Sequence, residues 1–195
     1  TPMVQWLCRK LRDRDLRVAL LSRGYGSVDQ GPNDEALELE LSLPDVPHLQ
    51  DADRVRIAEV AIEELESQVL VLDDGFQHRR LHRDLDIVLL DATCPFGFGY
   101  TLPRGLMREP KAALSRADVL VITRCDQVSS AVLQQIEQEL QAYRKTATTL
   151  IAKTIHQPVS LLDSRGRRRP LQDLENHRLL LFAGIGNPTA FFQLV

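Results

Sequence analysis

The sequence lacks several features that would each have assigned it to a class. No stretch approaches the ~20 consecutive apolar residues of a membrane-crossing helix. There is no basic excess: 24 Lys and Arg stand against 27 Asp and Glu, a net charge of −3, which argues against a general nucleic-acid binder. The three cysteines, Cys8, Cys94 and Cys125, are odd in number and form no C-x-x-C pair. A disulfide framework and a zinc site are therefore not expected, and a reducing compartment is. No internal repeat, linker or low-complexity tract interrupts the chain, and no signal-peptide pattern opens it. What is present is ordinary for a globular domain: 195 residues, 44% hydrophobic and 26% charged. Such a chain buries roughly 70% of its unfolded surface, so one domain spanning residues 1–195 with a real core is expected.

Periodicity divides the chain. Met3, Val4, Leu7, Cys8 and Leu11 recur at helical spacing, which predicts a helix over about 3–14, with Pro2 suited to its first turn. A second helix is predicted over 51–66, from Val55, Ala58, Ala61, Ile62 and Leu65, and a third over 129–143. Continuous aliphatic runs predict strands near 18–22, 69–73, 86–91, 118–123, 149–152 and 179–183. The alternation Leu37-Glu38-Leu39-Glu40-Leu41 has the period of a half-buried strand. Residues 159–178, with the turn Ser164-Arg165-Gly166, predict a small appended hairpin. Buried strands alternating with helices specify an α/β fold with a mainly parallel sheet flanked by helices, its strands mutually parallel. Ligands of such sheets sit at the carboxyl ends of the strands.

The residues following those strands hold the candidate chemistry. Asp73-Asp74-Gly75 closes one strand: two carboxylates there suit Mg²⁺, and the same letters also suit a plain turn. The run from Phe76 to Asp84 is cationic, and its arginines suit phosphate oxygens as well as solvent. The loop from Gly97 to Glu109 is long, rich in glycine and carries Arg104 and Arg108; loops of this length are commonly functional. Asp126 ends the strand at Thr123 and suits either a nucleotide base or a helix cap. Asp34 stands beyond the turn Ser22-Arg23-Gly24-Tyr25-Gly26, where a carboxylate can act as a general base.

Taken in order, Ser22-Arg23-Gly24-Tyr25-Gly26, Asn33-Asp34-Glu35, Asp73-Asp74-Gly75-Phe76-Gln77-His78, Leu102-Pro103-Arg104-Gly105, Arg108-Glu109 and Ala183-Gly184-Ile185-Gly186-Asn187-Pro188 resemble the tetraacyldisaccharide 4′-kinase family, the lipid A kinases. The resemblance covers nearly the whole chain. It implies a P-loop NTPase-like fold and transfer of the ATP γ-phosphate to the 4′-hydroxyl of a tetraacyl disaccharide 1-phosphate. It implies ATP and Mg²⁺ as cofactors, no nucleic acid, and work at the cytoplasmic face of the inner membrane. By the same resemblance Thr1 is the hydroxyl at the tail of a Walker A loop, and Thr1, Asp73 and Asp74 hold the metal. Asp34 is the catalytic base, while Thr1 and Asp126 contact the nucleotide. Arg23, Tyr25, Gln77, His78, Arg79, Arg104 and Arg108 contact the substrate. The family's Gly-Asp-Glu-Pro reads Asn33-Asp34-Glu35-Ala36 here, and its Gly-Asn-Gly reads Gly97-Phe98-Gly99. The family glycines and lysine that precede Thr1, and a His pair beyond Val195, lie outside this sequence. The resemblance thus implies a kinase domain truncated at both ends and inactive as this piece. A reading from another class is a P-loop nucleotide-dependent switch or a metallochaperone-type ATPase. The basic loop at Arg79-Arg80 favours the kinase, whereas a metallochaperone calls for paired cysteines.

Overall fold

The computed structural model describes residues 1–24, 34–146, 148–185 and 188–192, with the side chains of Asp34, Glu35 and Ala190 left aside. Two compact units, Thr1–Asp84 and Leu85–Val195, are described in turn.

The first unit opens with α1 (Pro2–Arg12), whose first turn takes the proline. Arg12 Nη1 donates to the Leu16 carbonyl at 3.1 Å, which turns the chain directly into β1 (Val18–Ser22). Two further elements, α2 (Asp34–Ser42) and β2 (His48–Gln50), precede α3 (Arg54–Glu63) and β3 (Val69–Leu72). The strand order is β2-β1-β3, parallel throughout, with Leu20 opposite His48 on one side and Val71 on the other. Alternate residues of β1 feed opposite faces, as the pleat requires. Val18 and Leu20 pack with Cys8, Leu39, Leu43, Val46 and Val71 beneath α1 and α2. Ala19 and Leu21 pack with Ile57, Ala58 and Ala61 beneath α3. Helices thus cover both faces, which explains why β1 reads as an unbroken apolar run rather than an alternating one.

The expected strand at Leu37–Leu41 is a helix, α2. Ala36, Leu39 and Leu43 are buried at helical spacing, while Leu37 and Leu41 are exposed. The alternation of Leu with Glu therefore carries two periods at once, and Ala, Leu and Glu are strong helix formers. Gln5 Nε2 donates to Glu38 Oε1 at 3.2 Å and to Ser42 Oγ at 3.3 Å, fastening α2 to α1.

In the second unit β4 (Ile87–Asp91), β5 (Val119–Thr123) and β6 (Leu150–Lys153) form a parallel sheet in the order β4-β5-β6. Between β5 and β6 lies α4 (Ser130–Gln141), capped by Ser129 and burying Ile136 and Leu140. The expected hairpin is present as β7 (Leu161–Leu162) and β8 (Arg168–Arg169), antiparallel, around a turn in which Asp163 Oδ1 accepts from the Arg165 and Arg167 amides at 2.9 Å each. The strand expected over 179–183 is absent: this stretch has no regular structure, and Leu180 and Phe182 are almost wholly exposed. An aliphatic run becomes a strand only where a neighbour receives its backbone bonds, and among the described residues none does. A short helix, α5 (Pro188–Phe192), follows. Among the described residues no helix is long and apolar enough to cross a membrane.

Candidate functional site

Parallel strands place the residues that follow them at one edge. In the first unit this carboxyl edge collects Ser22 at the end of β1, Asp51 and Asp53 after β2, and Asp73-Asp74-Gly75 after β3. Two cross-links close it: the Asp73 amide donates to the Leu21 carbonyl at 2.9 Å, and the Asp51 amide to the Ser22 carbonyl at 3.2 Å. Ser22 Oγ lies 2.8 Å from His48 Nε2 and accepts from Gln50 Nε2 at 3.1 Å. The helices return antiparallel to the strands, so their N-termini face the same edge. Thr1 is the N-cap residue of α1, with no bond from its side chain to the helix amides. Asp34 is the first residue of α2. Arg54 is the first residue of α3, where Asp53 accepts from the Val55 amide at 3.2 Å as the cap.

Asp73 is half-buried and Asp74 exposed, the latter at a positive φ of 52°. Gly75 lies so close over β3 that a Cβ there would stand 2.7 Å from Leu72 Cβ, so only glycine fits. The chain then turns, His78 donating its amide to the Gly75 carbonyl at 2.9 Å. Arg83 Nη1 donates to the His78 carbonyl and, at 3.4 Å, to the Leu81 carbonyl, holding the basic loop down. Gln77 and Arg79 are exposed on that loop, and Arg80 lies 3.9 Å from Asp53 Oδ1.

Sequence reasoning missed Arg54. Its side chain is only 6% exposed, and Nε is buried with no hydrogen-bond partner. A cation at the N-terminus of a helix opposes the helix dipole, and burial adds a desolvation cost. His78 Nε2, also buried without a partner, belongs to the same cluster. Burial, then the charges of Arg54, Arg80 and Arg83, hold the His78 imidazole below its usual range against the opposing pull of Asp53. The signal was available: Arg54 shares a face with Ile57, Ala58 and Ala61, so a charge falls on the apolar stripe of α3.

Mg²⁺ binds through one or two carboxylates, water and substrate phosphates, without a protein cage. The half-buried Asp73 beside exposed Asp74 fits that demand; among the described residues no group of three or more His, Cys, Asp and Glu forms a metal cage.

In the second unit the carboxyl edge carries Asp91 and Arg124, whose guanidinium pairs with the Asp91 carboxylate. Asp126 follows in a single 3₁₀ turn and is exposed. The loop leaving β4 holds Arg104, 3.7 Å above the Tyr100 ring, and Arg108, which is exposed. Of the predicted site residues, Thr1, Arg23, Asp73, Asp74, Gln77, His78 and Arg79 belong to the first unit, as does the backbone of Asp34. Arg104, Arg108 and Asp126 belong to the second. Tyr25 lies outside the described residues.

A parallel sheet clothed by helices, with acids at a strand's carboxyl end and cations around them, defines an α/β fold of the P-loop NTPase-like class. The comparisons narrow this. The family described as Tetraacyldisaccharide-1-P 4′-kinase matches residues 1–195, and the chain belongs to that family. The Tetraacyldisaccharide 4′-kinase of Syntrophus aciditrophicus (strain SB) is 40% identical, the match covering 98% of this chain and 57% of that protein. The Tetraacyldisaccharide 4′-kinase of Geobacter metallireducens is 38% identical, over 98% of this chain and 59% of that protein. A crystal structure of LpxK from Aquifex aeolicus in complex with ATP has a TM-score of 0.72 at 30% identity, over 98% of this chain and 61% of that one. The chain thus spans less than two thirds of the length of these relatives.

Proposed function

We propose that the chain forms the one α/β kinase domain of a protein that transfers the ATP γ-phosphate to the 4′-hydroxyl of a tetraacyl disaccharide 1-phosphate in lipid A synthesis. The observation that carries this is that one sheet edge holds both the Asp73-Asp74 acids and the buried Arg54 beside His78, with Arg54 Nε lacking a hydrogen-bond partner. Phosphoryl transfer requires a site for Mg²⁺ and cationic donors for phosphate oxygens, and this edge offers both. Family membership and the ATP held by the Aquifex aeolicus LpxK structure support the same reading.

In this reading Asp73 and Asp74, with the Thr1 hydroxyl, hold Mg²⁺. When bound, the metal neutralises charge on the phosphate oxygens. Arg54, His78 and Arg79 offer N–H donors to phosphate oxygens, and Arg54 Nε finds in a ligand the acceptor it lacks in the protein. Arg23, Tyr25, Gln77, Arg104 and Arg108 orient the disaccharide. Asp34, at the first position of α2, takes the proton of the acceptor hydroxyl. Asp126 contacts the nucleotide. A lipid acceptor places the work at a membrane surface, the cytoplasmic face of the inner membrane.

The test follows transfer of radiolabelled phosphate to the disaccharide 1-phosphate by the protein extended to its relatives' full length and by the Asp73→Asn variant of that protein. Turnover should fall about a hundredfold or more with the circular dichroism spectrum unchanged. Near-normal turnover at saturating Mg²⁺ removes the metal assignment.

A further inference from the structure

Between β4 and β5 the chain makes a compact loop that the proposed chemistry leaves half explained. Its tip carries four large apolar side chains in the open: Phe98 is 74% exposed, Leu106 61%, Leu102 59% and Tyr100 47%. The loop is not a loose segment. The Leu102 amide donates to the Met107 carbonyl at 2.9 Å, Leu106 to Gly97 at 3.0 Å, Gly105 to Thr101 at 3.0 Å and Gly99 to Phe96 at 2.7 Å. Gly105 is packed so tightly that a Cβ would stand 2.1 Å from the Tyr100 carbonyl oxygen. An isolated parallel bridge joins Thr101 to Met107.

A rigid loop holding apolar groups out of the core forgoes the gain from burying them, unless another apolar phase receives them. Two further features say which phase. The amides of Gly99, Leu102, Arg104, Gly105, Leu106 and Met107 are all satisfied within the loop, which lowers the cost of moving it out of water. Charge is of one sign: residues 92–108 contain no Asp or Glu, while Arg104 lies over the Tyr100 ring and Arg108 closes the segment. Glu109, the first acid beyond, is neutralised by Arg116 through two bonds of 2.9 Å. Aromatic and aliphatic tips beside guanidinium groups match the boundary between acyl chains and anionic headgroups.

We infer that the loop from Phe96 to Arg108 is a membrane-docking wedge. Phe98, Tyr100, Leu102 and Leu106 enter the acyl boundary, and the arginines meet anionic headgroups. The inference builds on the lipid-acceptor reading above and adds the surface by which the protein reaches its substrate. Phe98 stands between Gly97 and Gly99 with its ring in the open, an apolar side chain at the tip of the loop.

The experiment is co-sedimentation of the protein with vesicles of phosphatidylethanolamine and phosphatidylglycerol, beside vesicles of phosphatidylcholine alone. The expected result is binding to the anionic vesicles that falls at least about tenfold in the double variant Phe98→Ser, Leu102→Ser, and is weaker on phosphatidylcholine. A second probe guards against misfolding. Phe98→Trp, placed in a Trp6→Phe background so that it is the one tryptophan, should shift its emission to the blue on anionic vesicles and be quenched by brominated lipid. Equal binding by the double variant, emission from the Phe98→Trp probe that brominated lipid leaves unquenched, or no binding by the parent protein each overturns the wedge. A concentration-dependent dimer broken by the same substitutions assigns the patch to a second copy of the chain and overturns it as well. Transfer to detergent-dispersed disaccharide by the protein extended to its relatives' full length is read separately. Its absence there sinks the kinase reading, whereas its presence without loop-dependent vesicle binding sinks only the wedge.

Discussion

Cys8 shows how one residue reports on the site's surroundings. It lies on the buried face of α1, and burial, then the negative charge of Asp73, pushes its thiol up from 9.0 to about 11. The sign follows directly. Between those values the unfolded chain gives up the thiol proton while the folded chain keeps it, so stability falls as pH rises from about 9 to about 11. Cys8→Ala removes that part of the pH dependence, read by denaturant midpoints along a pH series. With iodoacetamide at neutral pH, Cys8 should be modified last, after the half-buried Cys94 and Cys125. Arg54 makes the opposite kind of prediction, because in the proposed site its burial serves a ligand rather than the fold. Arg54→Met relieves a buried cation whose Nε lacks an acceptor and should raise stability by about 1 kcal/mol, a melting shift of roughly 2–4 °C. The same change should weaken ATP binding in a calorimetric titration. A variant that loses stability instead shows Arg54 to be a structural cation.

At the scale of elements, helix starts decide where the site residues stand. Asp53 caps α3 with a 3.2 Å bond from the Val55 amide and so fixes the position from which Arg54 turns inward. Asp53→Ala should cost about 1 kcal/mol in urea unfolding, and a loss below a few tenths removes the cap from this account. The elements that sequence reading recovered are those whose period admits one reading. The apolar run of β1 and the face formed by Val4, Leu7, Cys8 and Leu11 on α1 have no competing pattern. The Leu-Glu alternation of α2 has one, and packing against α1 decides it in favour of helix. β2 is three residues long, too short for periodicity to register. The run at 179–183 reads as a strand because apolar composition says nothing about whether a partner strand is at hand. The acids of the site were legible because they follow an unmistakable strand, β3. Arg54 was not, because a charge on an apolar stripe becomes visible only once the stripe is known to be buried.

For the molecule as a whole, the two units share one design: a three-stranded parallel sheet whose carboxyl edge carries the polar and charged groups. The first unit gathers the acids, the buried arginine and the helix starts at that edge. The second carries, at its own edge, Asp126 and a loop of arginines and apolar tips. The central proposal is that a protein built on this scaffold moves a phosphoryl group onto a lipid hydroxyl rather than to water, which separates a kinase from a nucleotide-driven switch on the same scaffold. The most direct measurement supplies γ-labelled ATP, Mg²⁺ and the tetraacyl disaccharide 1-phosphate to the protein extended to its relatives' full length, then locates the label by mass spectrometry of the lipid product. The account predicts label on the 4′-oxygen, at a rate that depends on Asp73. Label released as inorganic phosphate with the lipid unmodified would contradict it.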